Sequence, residues 1–332
     1  MEDGICTVIA ARNASQTIAR AIHSALRDPY VEEVIIIDDA SEDDTTQVAY
    51  QCDDGTKRLK VIRFDVNKGP AAARNHALDS SRAPVISILD ADDFFIDGRF
   101  SKLMPVEGWD IIADNIAFIE ERDGDNFDIG AVAAFDGLIW QLDLATFARR
   151  NISKRGVRRG ELGFLKPLIR REFLDKHKLR YNERMRLGED YDLYARALAA
   201  GACFYLTNNC GYAAVIRPDS LSGQHSTEDL AQLAAASEAL LHLNLPRDIA
   251  LALREHASHA RAKYLHRNFL DMKTRNGLPA AVFDALADPL GFARTTRAIF
   301  LDKLDKLSRN SSTSSREGEV RYLFENGRIN SN

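Results

Sequence analysis

What most constrains this chain is an alternation. Four short, almost continuously apolar runs, CTVIAA, VEEVIIIDD, LKVIRF and APVISILD, are separated by segments whose apolar residues return at helical spacing. Between the first two runs, Ile18, Ala21, Ile22, Ala25 and Leu26 fall on one helical face. The helix-like SEDDTTQVAYQC and GPAAARNHALDSS fill the next two gaps. Strands covered on both faces lose the polar–apolar alternation of a half-wetted sheet, and a single helix between neighbours keeps them parallel. The pattern therefore predicts an α/β fold, a mostly parallel sheet flanked by helices. Ligands of such sheets bind beyond the carboxyl ends of the strands. Asp38, Asp39 and Asp90 stand at such ends.

Beyond Asp90 the pattern loosens. WDIIADNIAFIEE reads as another strand, ERDGDNFDIG as a polar turn, and LIWQLDLATFARR as the approach to a basic, Gly-containing stretch, NISKRGVRRGELGF. KPLIRREFLDKHKLRYNERMRLGEDYDLYARALAAG reads as helix, loop and a second helix opening near Glu189, and CFYLTNNCGYAAVIR as returning strands. From Thr227 the chain is Ala- and Leu-rich with helical spacing, interrupted at Pro246 and near Gly277–Pro279. Its Ser-rich end is expected to be poorly ordered. The expected organisation is an α/β domain over 1–226, a helical region over 227–308 and a disordered polar tail over 309–332.

Composition narrows the function. With 332 residues, 45% of them hydrophobic, the chain can bury a substantial core. A formal charge of −5 lacks the overall basic field of a nucleic-acid binder, and no such partner is expected. Cys6, Cys52, Cys203 and Cys210 form no CxxC pair and read as free thiols of a reducing compartment. The start, MEDGICTVIA, is acidic and then strand-like rather than signal-like. No apolar run reaches the roughly 18–20 residues of a bilayer span. The expectation is a soluble, cytoplasmic protein.

Four loops carry candidate chemistry. ISILDADDFF places Asp90, Asp92 and Asp93 directly after a strand. Capping explains one or two acidic residues there but not three so close together. A Ca²⁺ loop starting at Asp90 would need Gly and Glu where the chain has Phe95 and Ser101. Few carboxylates with open positions suit Mg²⁺ or Mn²⁺ shared with a diphosphate. In IIIDDASEDDT, Ser41 to Asp44 read as a capped, acidic helix start; Asp39 precedes the cap and is placed to accept from a nucleobase N–H. In NKGPAAARNHAL, Gly69 and Pro70 open a helix, while Lys68 and Arg74 bring positive charge to the top edge of the sheet; a plain turn is the competing reading. In LGEDYDLYARAL, Glu189 and Asp190 either cap a helix or provide a general base, Asp190, facing the cleft.

Taken in order, TVIAARN, IIIDDASEDDT, NKGPAAARN, ISILDADD and GEDYDLYARAL resemble the motifs of family 2 glycosyltransferases of the GT-A fold, over roughly Ile5 to Arg217. Within that family the chain is most similar to bacterial glucosyltransferases that build succinoglycan-type exopolysaccharide. The resemblance implies a Rossmann-like nucleotide-diphospho-sugar transferase fold with a helical C-terminal extension, and inverting, metal-dependent transfer from a UDP-sugar. Carried over position by position, Ala10, Ala11, Arg12 and Asn13 would line the nucleotide cleft, although many relatives have Pro and Tyr where this chain has Ala11 and Arg12. Asp39 would contact uracil and Ser41 its surroundings, with Lys68, Gly69 and Arg74 along the base and phosphates. Asp90, Ala91 and Asp92 would form the D-x-D motif, Asp90 toward ribose and Asp92 on Mn²⁺ or Mg²⁺, and Asp93 could share either role. Glu189 and Asp190 match the E-D pair whose Asp is the catalytic carboxylate. His225 falls where some relatives supply a metal or diphosphate ligand, a surface histidine being the plainer reading.

Partners follow from the same resemblance: a UDP-sugar donor and a saccharide acceptor carried on a lipid. The basic, amphipathic RAIFLDKLDKLSR (Arg297–Arg309) suits a peripheral contact at the inner face of the plasma membrane. The stripe of Leu240, Leu241, Leu243 and Leu245 suits core packing or a homodimer contact through the C-terminal helices. Direct displacement with inversion requires a base for the acceptor hydroxyl and a cation for the departing diphosphate. Other nucleotide enzymes fit less well. A nucleotidylyltransferase would carry a Gly-rich loop where this chain has AARNAS, and the G-x-G-x-x-G of a dinucleotide oxidoreductase is missing. A non-catalytic scaffold of the same fold would not need Asp92 and Asp190.

Overall fold

The computed structural model describes residues 4–120, 132, 135–153, 160–216, 225–286 and 320–324, and in it the alternation becomes a sheet. β1 (Ile5–Ala11), α1 (Ile18–Leu26), β2 (Val31–Asp38), α2 (Thr45–Gln51), β3 (Leu59–Arg63), α3 (Pro70–Ser80) and β4 (Val85–Asp90) follow one another. Their strands pair in parallel in the order β3-β2-β1-β4. The chain therefore moves outward from β1 to β3 and returns through α3 to the opposite side of β1. Such a reversal of direction opens a crevice at the carboxyl ends of the two central strands. Ala10 is in register with Asp90 there, and Ala11 with Asp38. Val8, Ile9, Ile36, Ile37 and Leu89 are fully buried, as runs covered on both faces must be. The predicted stripe of α1, from Ile18 to Leu26, is buried as well.

After β4 the sheet becomes mixed. β5 (Phe94–Phe95), α4 (Arg99–Leu103), β6 (Ile111–Glu120), β7 (Ile139–Leu142), α5 (Leu144–Arg150), β8 (Leu168–Arg170), α6 (Arg171–Lys176), α7 (Glu189–Ala199) and β9 (Phe204–Ile216) complete this part. β8 sits between β4 and β6, antiparallel to both, while β6 and β9 run parallel. β5 and β7 each pair antiparallel with β9. Two expectations change here. The start of KPLIRREFLDK is a strand rather than a helix, because Leu168 and Ile169 close the gap between β4 and β6. CFYLTNNCGYAAVIR forms one 13-residue strand, with irregular register against β6 near Asn115.

Contacts divide the chain into Met1–Ser220 with Val320–Asn332, and Leu221–Glu319. In the second unit α8 (Thr227–Ala239), α9 (Arg247–Asn276) and α10 (Leu278–Leu286) pack in sequence, α8 on α9 and α9 on α10. Ser226 and Asp229 close a capping box at the start of α8. Pro246 and Gly277 flank α9, which explains the interruptions visible in the sequence. Of the leucine stripe, Leu240 is buried and Leu243 exposed.

Within the last stretch of the chain, residues 320–324 are described. β10 (Arg321–Tyr322) pairs antiparallel with β6. Leu323 and Phe324 are buried beside it. Asn115 clasps Phe324 with both ends of its amide, Nδ2 donating to the Phe324 carbonyl at 3.2 Å and Oδ1 accepting its N–H at 2.9 Å. The segments 121–130 and 297–309 lie outside the described residues. Among the described residues no helix is long and apolar enough to cross a membrane. The four cysteines are free thiols.

Candidate active site

The loops after β1 and β2 are laced together by short polar side chains. Asn13, at φ +50°, donates its N–H to Ser41 Oγ at 2.9 Å and accepts the Glu42 N–H at 2.8 Å. The Ala14 N–H reaches Thr45 Oγ1 at 2.7 Å. Ser41 faces inward, its N–H and hydroxyl donating to Asp38 Oδ1 at 2.9 and 2.5 Å. Arg63 Nη1 donates to the other Asp38 oxygen at 3.1 Å. The helix-start reading of SEDD is therefore corrected: α2 opens at Thr45. A fully buried carboxylate at the end of β2 must be given donors, and Ser41 is spent on that rather than on a cap.

Asp39 fastens the next loop. Its two oxygens accept the N–H groups of Lys68 and Gly69 at 2.6 and 2.8 Å. This pins the turn before α3 to the end of β2, and each oxygen keeps a second lone pair. Gly69 adopts φ +90°, which suits glycine, and Pro70 begins the helix. Lys68 is exposed with Nζ 4.6 Å from the centre of the Phe64 ring. Arg12 is exposed 3.9 Å from Glu42, Ala10 is half-buried, and Ala11 and Ala91 are buried.

The acidic cluster finds its positive partners within the protein. Arg74, buried on α3, donates to Asp90 Oδ1 at 3.0 Å and to Glu189 Oε1 at 2.8 Å, and lies 3.5 Å from Asp190 Oδ1. Lys166, on the lead-in to β8, places Nζ 2.9 Å from Asp90 Oδ2 and 2.9 Å from Asp190 Oδ2. Gly188, at φ +73°, turns the chain so that Glu189 and Asp190 fall in the first turn of α7, where the helix dipole favours negative charge. Three carboxylates from two elements thus share two cations from two others. Desolvation opposes ionisation of Asp90, but the Lys166 and Arg74 charges outweigh it and hold the carboxyl at about 2. Desolvation also works against the charge on Lys166, yet Asp190 and Asp90 drive it upward, so it stays an ammonium.

Besides Arg74 Nε, two further polar atoms in this cluster have no hydrogen-bond partner. They are Asp190 Oδ1 and the hydroxyl of buried Tyr181, whose ring lies 5.4 Å from the Arg74 guanidinium. Buried polar atoms without partners call for an explanation.

Asp93 turns away from the others. It is buried, accepting the Tyr212 hydroxyl at 2.7 Å and the Val215 N–H at 2.9 Å. Burial first, then the charges of Asp92 and Asp90, push its carboxyl well above the usual range. The expectation that Asp93 shares a ligand role is corrected by this placement: both of its oxygens serve β9. Asp92 is half-buried, and its backbone carbonyl accepts from Arg20 Nη2 at 2.9 Å. His225 is half-buried in the second unit, just before the Ser226 cap. Among the described residues no three His, Cys, Asp or Glu side chains gather into a metal cage.

Sequence reasoning named Asp90, Arg74, Glu189 and Asp190 but passed over Lys166 and Tyr181. The available signal was FLKPLIR: a lone lysine in an apolar run is buried only with a partner.

Known proteins now bear on this geometry. The family model for glycosyl transferase family 2 matches residues 6–156. Succinoglycan biosynthesis protein ExoU of Rhizobium meliloti is 50% identical over 326 residues, covering 97% of this chain and 95% of that protein. The chain belongs to glycosyl transferase family 2. This glycosyltransferase also matches, at 37% identity over 98 residues, the Escherichia coli protein WfaP, a UDP-Glc:alpha-D-GlcNAc-diphosphoundecaprenol beta-1,3-glucosyltransferase; the match covers 29% of this chain and 38% of WfaP. Among solved structures, residues 1–349 of S. aureus TarS in complex with UDP-GlcNAc superpose with a TM-score of 0.58 at 17% identity, over 82% of this chain and 74% of that one. The glycosyltransferase therefore has the GT-A-like fold, a mixed, mostly parallel core sheet with helices and a helical extension.

Proposed function

We propose that this glycosyltransferase moves glucose from UDP-glucose to a lipid-linked exopolysaccharide repeat unit, with inversion at the transferred carbon. The observation that carries the reading is the placement of Asp190 at the crevice, one oxygen held by Lys166 and the other without a hydrogen-bond donor. In a single displacement the acceptor hydroxyl gives its proton to Asp190 Oδ1, which lies 3.5 Å from the Arg74 guanidinium. The acceptor oxygen bonds to the anomeric carbon as the bond to the diphosphate breaks, and UDP leaves with the electron pair. Proton removal by a placed base is worth about 10²–10⁴-fold in rate. Relatives support the substrates: one at 50% identity is a succinoglycan biosynthesis protein, and WfaP uses UDP-Glc and a diphosphoundecaprenol-linked acceptor.

The family's fold implies a divalent cation, and the residues fit one. Asp90 is engaged by Arg74 and Lys166, and Asp93 is turned into β9. By the likeness of Asp90, Ala91 and Asp92 to the family's D-x-D motif, Asp92 would hold Mn²⁺ or Mg²⁺, ions that bind through one or two carboxylates plus substrate phosphates. When bound, the ion would neutralise charge on the departing diphosphate. Ala10, Arg12, Asn13 and Lys68 would border the nucleotide, with Asp39 and Ser41 setting the loop shapes around it. The amphipathic Arg297–Arg309 would meet the membrane that carries the acceptor.

A thermal-shift series with UDP-, GDP- and dTDP-sugars, with and without Mn²⁺, tests the donor and the ion together. The expected result is stabilisation by UDP-glucose in Mn²⁺ that is lost in Asp92→Ala. Stabilisation by a GDP-sugar alone, or a UDP-glucose shift indifferent to both Mn²⁺ and Asp92, would overturn the assignment.

A further inference from the structure

We infer that Lys166 is a positioning residue of this transferase: its ammonium ties the Asp190 carboxylate to that of Asp90, so that the base and the end of β4 are held as one piece. The inference rests on the reading of Asp190 as the general base. Nζ lies 2.9 Å from an oxygen of each carboxylate; the Lys166 and Asp190 side chains are buried, while Asp90 is half-buried. An ammonium is a compact charge with three donors, so it can join two carboxylates arriving from different elements. Arg74 already meets Asp90, Glu189 and Asp190 from the α3 side. Lys166 closes the cluster from the β8 side.

The backbone that carries Lys166 is fastened on both sides. The Leu165 carbonyl accepts the Tyr194 hydroxyl at 3.2 Å, the Lys166 carbonyl accepts Arg99 Nη2, and Pro167 follows with its fixed φ. Arg99 is itself immobilised. It pairs with buried Asp114 at 2.8 Å, and its guanidinium lies 4.7 Å from the Phe95 ring centre and 5.3 Å from that of Tyr212. Gly211 presses onto this pair, since a Cβ there would come within 2.4 Å of Arg99 Cγ and of an Asp114 oxygen. A continuous set of buried contacts therefore runs from β9 through Arg99 to Lys166, and from Lys166 to Asp190. A surface-tolerant ion pair would need none of it.

Removing the ammonium leaves Asp90, Glu189 and Asp190 with Arg74 alone. Asp190 then loses the bond that orients it. The experiment compares Lys166→Met, Lys166→Arg and Asp190→Asn in the full chain, using UDP-glucose, Mn²⁺ and a lipid-linked acceptor. Lys166→Met is expected to lower kcat by about 100-fold with donor KM changed by less than about threefold. Lys166→Arg, which keeps the charge, is expected to recover at least about a tenth of the wild-type kcat.

A wild-type kcat in Lys166→Met, or a loss confined to donor KM, overturns the inference. Asp190→Asn separates the two readings. If that variant is as active as wild type, the general-base assignment fails; if it is inactive while Lys166→Met is normal, only the role of Lys166 fails. Where Lys166→Met gives no cooperative melt, Lys166→Gln is judged by the same two criteria.

Discussion

Asp90 and Asp93 are three positions apart and behave in opposite ways, because one meets two cations and the other a tyrosine hydroxyl and a backbone N–H. The Asp90 carboxyl, held at about 2, is ionised under all ordinary conditions. Its folded value lies below the roughly 3.9 of an unfolded Asp, so its contribution to stability is complete above about pH 4 and is lost as pH falls toward 2. Asp93 has the reverse sign: its raised value makes folding less favourable as pH climbs above about 4. Asp93→Asn should therefore melt at or above the wild-type temperature at pH 7, and Asp90→Asn below it, in parallel thermal scans. Asp90 was legible in the sequence because a charge closing an apolar strand requires a partner. Lys166 was missed because both carboxylates it joins are remote in the chain and the segment it opens, KPLIRREFLDK, reads as a helix.

At the scale of elements, the strands and helices up to β4 followed from periodicity, since each run is long enough to show its period. β8 has three residues and β10 two, too few for any pattern, and both owe their place to tertiary partners. β10 was further hidden by the Ser-rich sequence before it, although Tyr322, Leu323 and Phe324 carry apolar surface into the first unit. Phe324→Ala should destabilise that unit by about 3–5 kcal/mol in urea unfolding. α9 supplies a pH-dependent counterpart. Burial pushes His256 down to about 3 and His259 down to about 4. Both are neutral in the fold, so their contribution is complete above about pH 6.5, the unfolded value, and is lost as pH falls toward those lower values. Hydrogen exchange should show α9 amides less protected at pH 5 than at pH 7.5, with a smaller difference in His256→Gln.

Across the whole molecule, the cluster of Arg74, Asp90, Lys166, Glu189 and Asp190 is built entirely from the first unit, which also receives the end of the chain. Its parallel half sets Arg74 and Asp90 at the crevice, and its mixed half delivers Lys166 and Asp190. The family motifs visible in sequence mark these places, but the charges that hold the acidic residues together emerge only where the two halves meet. In the proposed mechanism Asp190 receives a proton during transfer. The direct measurement is the rate of glucose transfer from saturating UDP-glucose by Asp190→Asn, beside calorimetric UDP binding in Mn²⁺. The predicted result is a rate lower by about 10²–10⁴-fold with UDP affinity within about threefold of wild type. Transfer at the wild-type rate would contradict it.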